Sequence, residues 1–180
     1  MKRIVFLDRD GVINKNPVYL DYIRKPSQFK FLPGAEKAIR LLTEAGFDIY
    51  VVSNQSGVEK GLFTRQDLKA INDKMIKAVE ASGGRILKSY YCTHLTVQNC
   101  SCKKPKTAFI KKAIGKRRVD RKNSYFIGDT ERDIIAGKRA GLRAIAVLSG
   151  YTKKKDIRGW KAKPDFIAKN LLKAVKEIIV

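Results

Sequence analysis

Residues 2–14, KRIVFLDRDGVIN, decide the fold. Ile4, Val5, Phe6 and Leu7 form an unbroken apolar run, the pattern of a strand buried on both faces of a parallel sheet. The run stops at Asp8-Arg9-Asp10-Gly11, so two carboxylates lie two residues apart where the strand gives way to a loop. Ligands of open α/β sheets bind just beyond the carboxyl ends of the strands. Such a pair can be a nucleophile with an acid/base partner, a magnesium site, both together, or an ordinary polar turn. The pair alone does not choose among these.

The rest of the chain repeats the same unit. Asn16-Pro17-Val18-Tyr19 and residues 22–31 show no helical period and are expected to form an extended flap near the end of the first strand. Pro33-Gly34 opens a helix with Ala35, Ala38, Ile39, Leu41 and Leu42 as its apolar stripe, and Gly46 stops it. A second strand, 47–52, ends in Ser53-Asn54-Gln55-Ser56-Gly57. Thr64, with Asp67 in the first turn, caps a helix carrying Leu68, Ile71, Met75, Ile76 and Val79, which Ser82-Gly83-Gly84 ends. Strands are expected at 86–91, 124–127 and 143–148, and helices at 107–114, 131–140 and 170–178. Strands alternating with helices at this spacing specify right-handed βαβ units, an α/β doubly wound parallel sheet, and one domain over residues 1–180.

At 180 residues, 44% hydrophobic and 31% charged, the chain can bury a substantial core and has no disordered composition. No apolar run approaches the ~20 residues that span a bilayer. The amino-terminal apolar run gives way to charge after four residues, unlike a secretory signal, so a cytoplasmic location is expected. The net charge of +22 raises a nucleic-acid reading. The basic residues are spread along the chain, however, and the densest cluster, Lys153-Lys154-Lys155, is read as a surface loop. A positive field would also attract a phosphorylated metabolite.

Three strand ends carry residues suited to phosphate chemistry: Asp8 and Asp10, then Ser53, then Asp129 with Asp133 four residues on. Acids gathered at one sheet edge can hold Mg²⁺ by oxygen ligands. An aspartate can attack phosphorus to form an aspartyl-phosphate, and a second carboxyl two residues away can protonate the leaving alkoxide. Lys104, before Pro105, would supply a fixed positive charge.

Cys92, His94, Cys100 and Cys102 fall in one eleven-residue window, with every cysteine and the only histidine of the chain among them. An odd cysteine count argues against a disulfide framework, whereas three thiolates and an imidazole make a closed tetrahedral zinc set. With four protein ligands the zinc would staple the loop next to Lys103 and Lys104 and take no part in the chemistry.

Asp8-Arg9-Asp10-Gly11-Val12, Ser53-Asn54-Gln55, Lys104 and Gly128-Asp129-Thr130-Glu131-Arg132-Asp133 together resemble the four motifs of the haloacid dehalogenase superfamily, over nearly the whole chain. The resemblance implies a haloacid dehalogenase-like Rossmannoid fold and a phosphomonoesterase working through an aspartyl-phosphate. It makes Asp8 the nucleophile, Asp10 the general acid/base, and Ser53 and Lys104 phosphate ligands. Mg²⁺ would be held by Asp8, the main-chain carbonyl of Asp10 and Asp129, with Asp133 supporting from behind. No insertion is long enough for a separate cap, so substrate selection falls to short loops. Asn16, Tyr19, Asn54, Gln55, Ser56, Lys103 and Thr130 are the expected substrate contacts.

The zinc window resembles one subgroup, the heptose-1,7-bisphosphate 7-phosphatases and the histidinol-phosphate phosphatases. FLDRDGVIN, SNQSGVEKGLFT and the flap are more similar to the heptose enzymes, while the short CTHLTVQNCSCKKPK has the length found in the histidinol enzymes. Lys103 stands where both groups usually have Arg, and Thr130 where the heptose enzymes often have Lys. The expectation is a monomer acting on a small phosphorylated metabolite: a heptose bisphosphate first, histidinol phosphate second. A reading from another class is a basic nucleic-acid-binding module on the same fold.

Overall fold

A computed structural model describes residues 1–17 and 22–179. Six strands lie parallel in one sheet: β1 (Ile4–Leu7), β2 (Asp48–Asn54), β3 (Lys88–Cys92), β4 (Tyr125–Gly128), β5 (Arg143–Val147) and β6 (Phe166–Ala168), in the order β3-β2-β1-β4-β5-β6. The apolar run that reads as a doubly buried strand is the centre of the sheet. Val5 pairs with Ile49 on one side and Tyr125 on the other, and Leu7 with Val51 and Ile127.

Alternation along the strands divides the core in two. On one face Val5, Leu7, Ile49, Val51 and Ile127 pack under α1 (Ala35–Glu44), α2 (Arg65–Ala81) and α6 (Leu171–Ile178) through Ile39, Met75 and Val175. On the other, Ile4, Phe6, Tyr50 and Phe126 pack under α3 (Ala108–Ile114) and α4 (Glu131–Arg139) through Ile110 and Ala136. Phe6 stacks between Tyr50 and Phe126 at ring-centroid distances of 5.5 and 6.1 Å. Burying a side chain of this size contributes about 1.5–3 kcal/mol. The Thr64 cap forms as expected: Asp67 N–H donates to Thr64 Oγ1 at 3.0 Å, and Thr64 N–H donates back to Asp67 Oδ2 at 2.8 Å.

The strand order reverses at β1. The chain winds through β2 and β3 on one side and through β4, β5 and β6 on the other, which opens a crevice beyond the carboxyl ends of β1 and β4. The flap begins there. Its two arms are joined by Lys15 N–H to Lys30 O and Leu32 N–H to Ile13 O, both 2.9 Å, and residues Pro26–Gln28 form a 3₁₀ turn. Tyr19 lies outside the described residues.

Two elements escape a reading of periodicity. β6 is three residues long, with Phe166 half-exposed, and has no room for a pattern. Lys154 and Lys155 are not loop residues: they open α5 (Lys154–Ile157), where Lys153 N–H donates to Asp156 Oδ2 at 2.7 Å and only Ile157 is buried. Among the described residues no helix is long and apolar enough to cross a membrane.

Candidate active site

Asp8 leaves β1 at the centre of the sheet, 9% exposed. Its Oδ1 accepts from Arg9 N–H at 2.7 Å and lies 2.9 Å from Lys104 Nζ. Burial pushes the Asp8 carboxyl above its ordinary range, against the pull of Lys104. Lys104 is buried and also sits 2.7 Å from Asp133 Oδ1. Burial opposes its ammonium form, yet Asp133 and Asp8 outweigh that and hold its pKa above the usual lysine value. Asn54 fixes the lysine's backbone, accepting from Lys104 N–H at 3.0 Å and donating to Lys104 O at 3.1 Å. Asp133, fully buried in the first turn of α4, accepts from Thr130 N–H at 3.0 Å and Thr130 Oγ1 at 2.6 Å.

Asp129 directly follows β4 and differs from its neighbours. It is 2% exposed, and its donors among the described residues are neutral: Tyr151 N–H at 3.1 Å and Asn16 Nδ2 at 3.4 Å, both to Oδ2. Burial, together with Asp8 and Asp133, pushes its carboxyl up to about 8. Asp8, Asp129 and Asp133 bring a carboxylate oxygen each to within 4.8 Å of one another. One ammonium among three buried carboxylates leaves negative charge unbalanced, and a divalent cation fits that deficit. The backbone is pressed close around Asp129: a Cβ on Gly150 would lie 1.8 Å from Oδ2, and one on Gly11, at φ +79°, 2.5 Å from it.

Asp10 lies in a separate cage. Oδ1 accepts from Arg9 Nε at 3.1 Å, Arg9 Nη2 at 3.0 Å and Asn14 Nδ2 at 2.9 Å, and Oδ2 from Arg9 Nη2 at 2.9 Å and Gln55 Nε2 at 2.7 Å. Gln55, expected to contact substrate, does not line the cavity. It is fully buried behind it, its amide shared among Asp10, Ser53 and Arg9.

The four soft ligands converge as the sequence predicts. Cys92 Sγ is 3.5 Å from Cys100 Sγ and 3.2 Å from Cys102 Sγ, and His94 Nδ1 is 3.3 Å from Cys102 Sγ and 3.7 Å from Cys92 Sγ. Tetrahedral Zn–S bonds of about 2.3 Å require sulfur–sulfur edges of about 3.8 Å, so the cluster needs only slight expansion to take the ion. The window meets the phosphate side through Lys103, whose Nζ donates to Ser56 Oγ at 2.5 Å and His94 O at 2.9 Å, while Ser56 Oγ donates to His94 O at 2.8 Å.

A cavity of about 440 Å³ is lined by Asp8, Asp10, Asn16, Ser53, Asn54, Ser56, Lys103, Lys104, Asp129, Thr130 and Asp133. Of the remaining expected contacts, Gln55 is set back from it and Tyr19 is not among the described residues. The lining also includes Pro17, Tyr22, Lys60, Leu95, Thr96, Arg132 and Tyr151, none of which is an expected site residue from the sequence. Tyr151 follows the end of β5, so the strand-end rule that finds Asp8 and Asp129 could also have found it. Its phenol donates to Pro17 O at 2.8 Å, tying the flap to the loop around Asp129. A side cavity of about 250 Å³ adjoins the first, sharing Lys103, Lys104 and Arg132 and adding Lys106 and Arg139.

Comparison with known proteins agrees with this architecture. A family model described as HAD-hydrolase-like matches residues 101–174. The D-glycero-beta-D-manno-heptose-1,7-bisphosphate 7-phosphatase of Neisseria meningitidis serogroup B is 34% identical over 152 residues, 84% of this chain and 80% of that protein. The chain belongs to the haloacid dehalogenase-like phosphatases. The similarity extends to a particular branch. The D-glycero-D-manno-heptose-1,7-bisphosphate 7-phosphatase of Chlorobaculum tepidum is 32% identical over 190 residues, covering 99% of this chain and 94% of that one. The crystal structure of the D,D-heptose 1,7-bisphosphate phosphatase of Bordetella bronchiseptica, complexed with magnesium and phosphate, superposes with a TM-score of 0.88 at 30% identity, covering 99% and 98% of the two chains.

Proposed function

We propose that this chain removes the 7-phosphate of a D-glycero-D-manno-heptose 1,7-bisphosphate, with Asp8 as nucleophile and Asp10 as general acid/base. Asp8 attacks phosphorus, the bond from phosphorus to the sugar oxygen breaks, and Asp10 gives the departing alkoxide its proton. Asp10 then takes a proton from water, whose oxygen displaces Asp8 and releases inorganic phosphate. Lys104, Ser53 and Asn54 frame the phosphoryl group, Lys104 from the position where it already pairs with Asp8. A Mg²⁺ ion held by Asp8, the carbonyl of Asp10 and Asp129 would offset repulsion between carboxylate and phosphate. Asp133 supports the site through Lys104. Cys92, His94, Cys100 and Cys102 hold a structural zinc that keeps the substrate loop in place.

The observation that carries the choice of substrate is the side cavity. Lys103, Lys104, Lys106, Arg132 and Arg139 line it, and among the described residues no carboxylate does. That field favours a second phosphate and disfavours the ammonium group of histidinol phosphate. The similarity to heptose bisphosphate phosphatases points the same way.

Phosphate release in Mg²⁺ tests the proposal. Heptose 1,7-bisphosphate is expected to exceed histidinol phosphate at least a hundredfold in kcat/KM, about 2.7 kcal/mol of differential transition-state binding. Heptose 7-phosphate should fall between them. A preference for histidinol phosphate would refute the substrate choice while leaving the phosphatase chemistry intact.

A further inference from the structure

We infer that Arg9 and Gln55 are positioning residues that aim the Asp10 carboxylate at the cavity. The inference rests on the reading of Asp10 as the acid/base group and concerns what holds it in place.

Arg9 is fully buried and does not line the cavity, so it has no route to the substrate. Its guanidinium reaches both oxygens of Asp10 and also donates to Gln55 Oε1 at 3.1 Å. A guanidinium has donors and no acceptor, so Gln55 must present its oxygen to Arg9. That fixes which way the amide points, a choice a hydrogen-bond network has to make. Gln55 Nε2 is thereby turned onto Asp10 Oδ2 at 2.7 Å and Ser53 Oγ at 3.2 Å. Arg9 thus acts on Asp10 twice, directly and through the amide, and the same amide ties the acid/base group to the hydroxyl at the end of β2.

The far side of the guanidinium is wedged as well. Arg9 Cζ lies 5.6 Å from the centre of the Tyr91 ring, and Tyr91 donates its phenol hydrogen to Asn72 Oδ1 on α2 at 2.8 Å. The cage is therefore anchored through Tyr91 to α2.

A role in fold stability alone does not account for this. Replacing a buried ion pair by apolar groups of similar volume is often neutral or stabilising. Arg9 makes one salt bridge among the described residues, to Asp10, and that carboxylate faces the cavity with its side chain 19% exposed. What the arrangement secures is direction. Proton transfer needs the carboxyl within about 2.6–3.2 Å of the reacting oxygen, and a misplacement of about 1 Å can lower the rate about a hundredfold.

The test uses Gln55→Leu, Arg9→Met and Arg9→Lys in the Mg²⁺-loaded protein, with Asp10→Asn beside them. Gln55→Leu is expected to lower kcat about a hundredfold, with KM and the inhibition constant of inorganic phosphate unchanged within about threefold. Arg9→Met should lower kcat further, and Arg9→Lys should recover part of the loss, since an ammonium supplies the charge without the fork. If Arg9→Met does not fold, Gln55→Leu, which removes no charge, carries the test. Full kcat in a folded Gln55→Leu or Arg9→Met protein, or a rise in KM and in the phosphate inhibition constant that matches the fall in kcat, overturns the inference. Full turnover in Asp10→Asn would sink the reading of Asp10 itself. Loss in Asp10→Asn with full turnover in Gln55→Leu would sink the positioning role alone.

Discussion

The acids at the strand ends and the thiols of the zinc window are both clusters of ligand atoms within 4.8 Å, yet they are built in opposite ways. Asp8 and Asp129 extend from neighbouring central strands, paired in register from Val5–Tyr125 to Leu7–Ile127, so the sheet places them before any ion arrives. The stretch between His94 and Cys100 has no such frame. Val97 is 87% exposed, and no residue from 95 to 101 belongs to the core. A loop without buried apolar surface needs a cross-link to hold one conformation. On the proposed function, rigid strands would bear the reacting groups, and a loop that a metal could staple would bear the groups that sort substrates.

The strongest way to break that division is at Asp8. Asp8→Asn keeps the shape of the strand end and removes the nucleophile, so phosphate release should fall by at least ~10⁴-fold. Trapping a phosphoryl group on the wild-type chain and not on the variant would confirm where the bond forms. Retained turnover in the variant would remove the basis for calling the sheet edge the reacting site.

Lys104→Met is expected to come next. It leaves Asp8 and Asp133 facing one another without their shared cation and removes a fixed charge from the phosphoryl position. A loss of about 10²–10³ in kcat, or about 2.7–4 kcal/mol, is expected from donors of this kind. A change in KM alone would move Lys104 from the chemistry to the sorting side of the division.

The legibility of the two regions in the sequence follows from the same contrast. β1 announces itself because four consecutive apolar residues admit few other placements, and the acids that follow must then lie at the crevice. The zinc set is legible because the chain's soft ligands share one short window. Gln55 lies behind the cavity for a physical reason. Proximity to Ser53 in the sequence puts it near the phosphate, but only the partner Arg9, across 46 residues, shows that its amide is turned inward. The side cavity was hidden similarly, because Lys106 and Arg139 come together only when α4 packs beside the zinc loop. β6 and α5 are not legible, because three or four residues carry no measurable period.

Asp129 gives the comparison a pH signature. In the magnesium-free protein its carboxyl retains a proton up to about pH 8, whereas an unfolded aspartate releases it near 3.9. Between those values the folded state binds more protons, so this contribution is fully present below about pH 4 and is lost as pH rises toward about 8. Magnesium must displace the same proton, so its apparent affinity should rise with pH, up to tenfold per unit between about 6 and 8, and level off above. Thermal unfolding across pH 5–9 without Mg²⁺ reads the first effect, and Mg²⁺ titration of activity reads the second. Flat curves in both would mean that the cluster carries no shared proton.

The smallest effect on turnover is expected at the zinc. Cys100→Ser replaces a partly exposed ligand and should lower zinc content from about one per chain, along with thermal stability. The loop it releases carries Lys103, and through it Ser56, but not Asp8, Asp129 or Lys104's backbone clamp on Asn54. KM for the bisphosphate should therefore rise about tenfold while kcat stays within about threefold, since the binding lost is felt equally before and during the reaction. For a substrate without the second phosphate the change in KM should be smaller still. A fall in kcat as large as that of Lys104→Met, with KM untouched, would show that the loop and the sheet edge work as one unit, and the separation between sorting and chemistry would have to be abandoned.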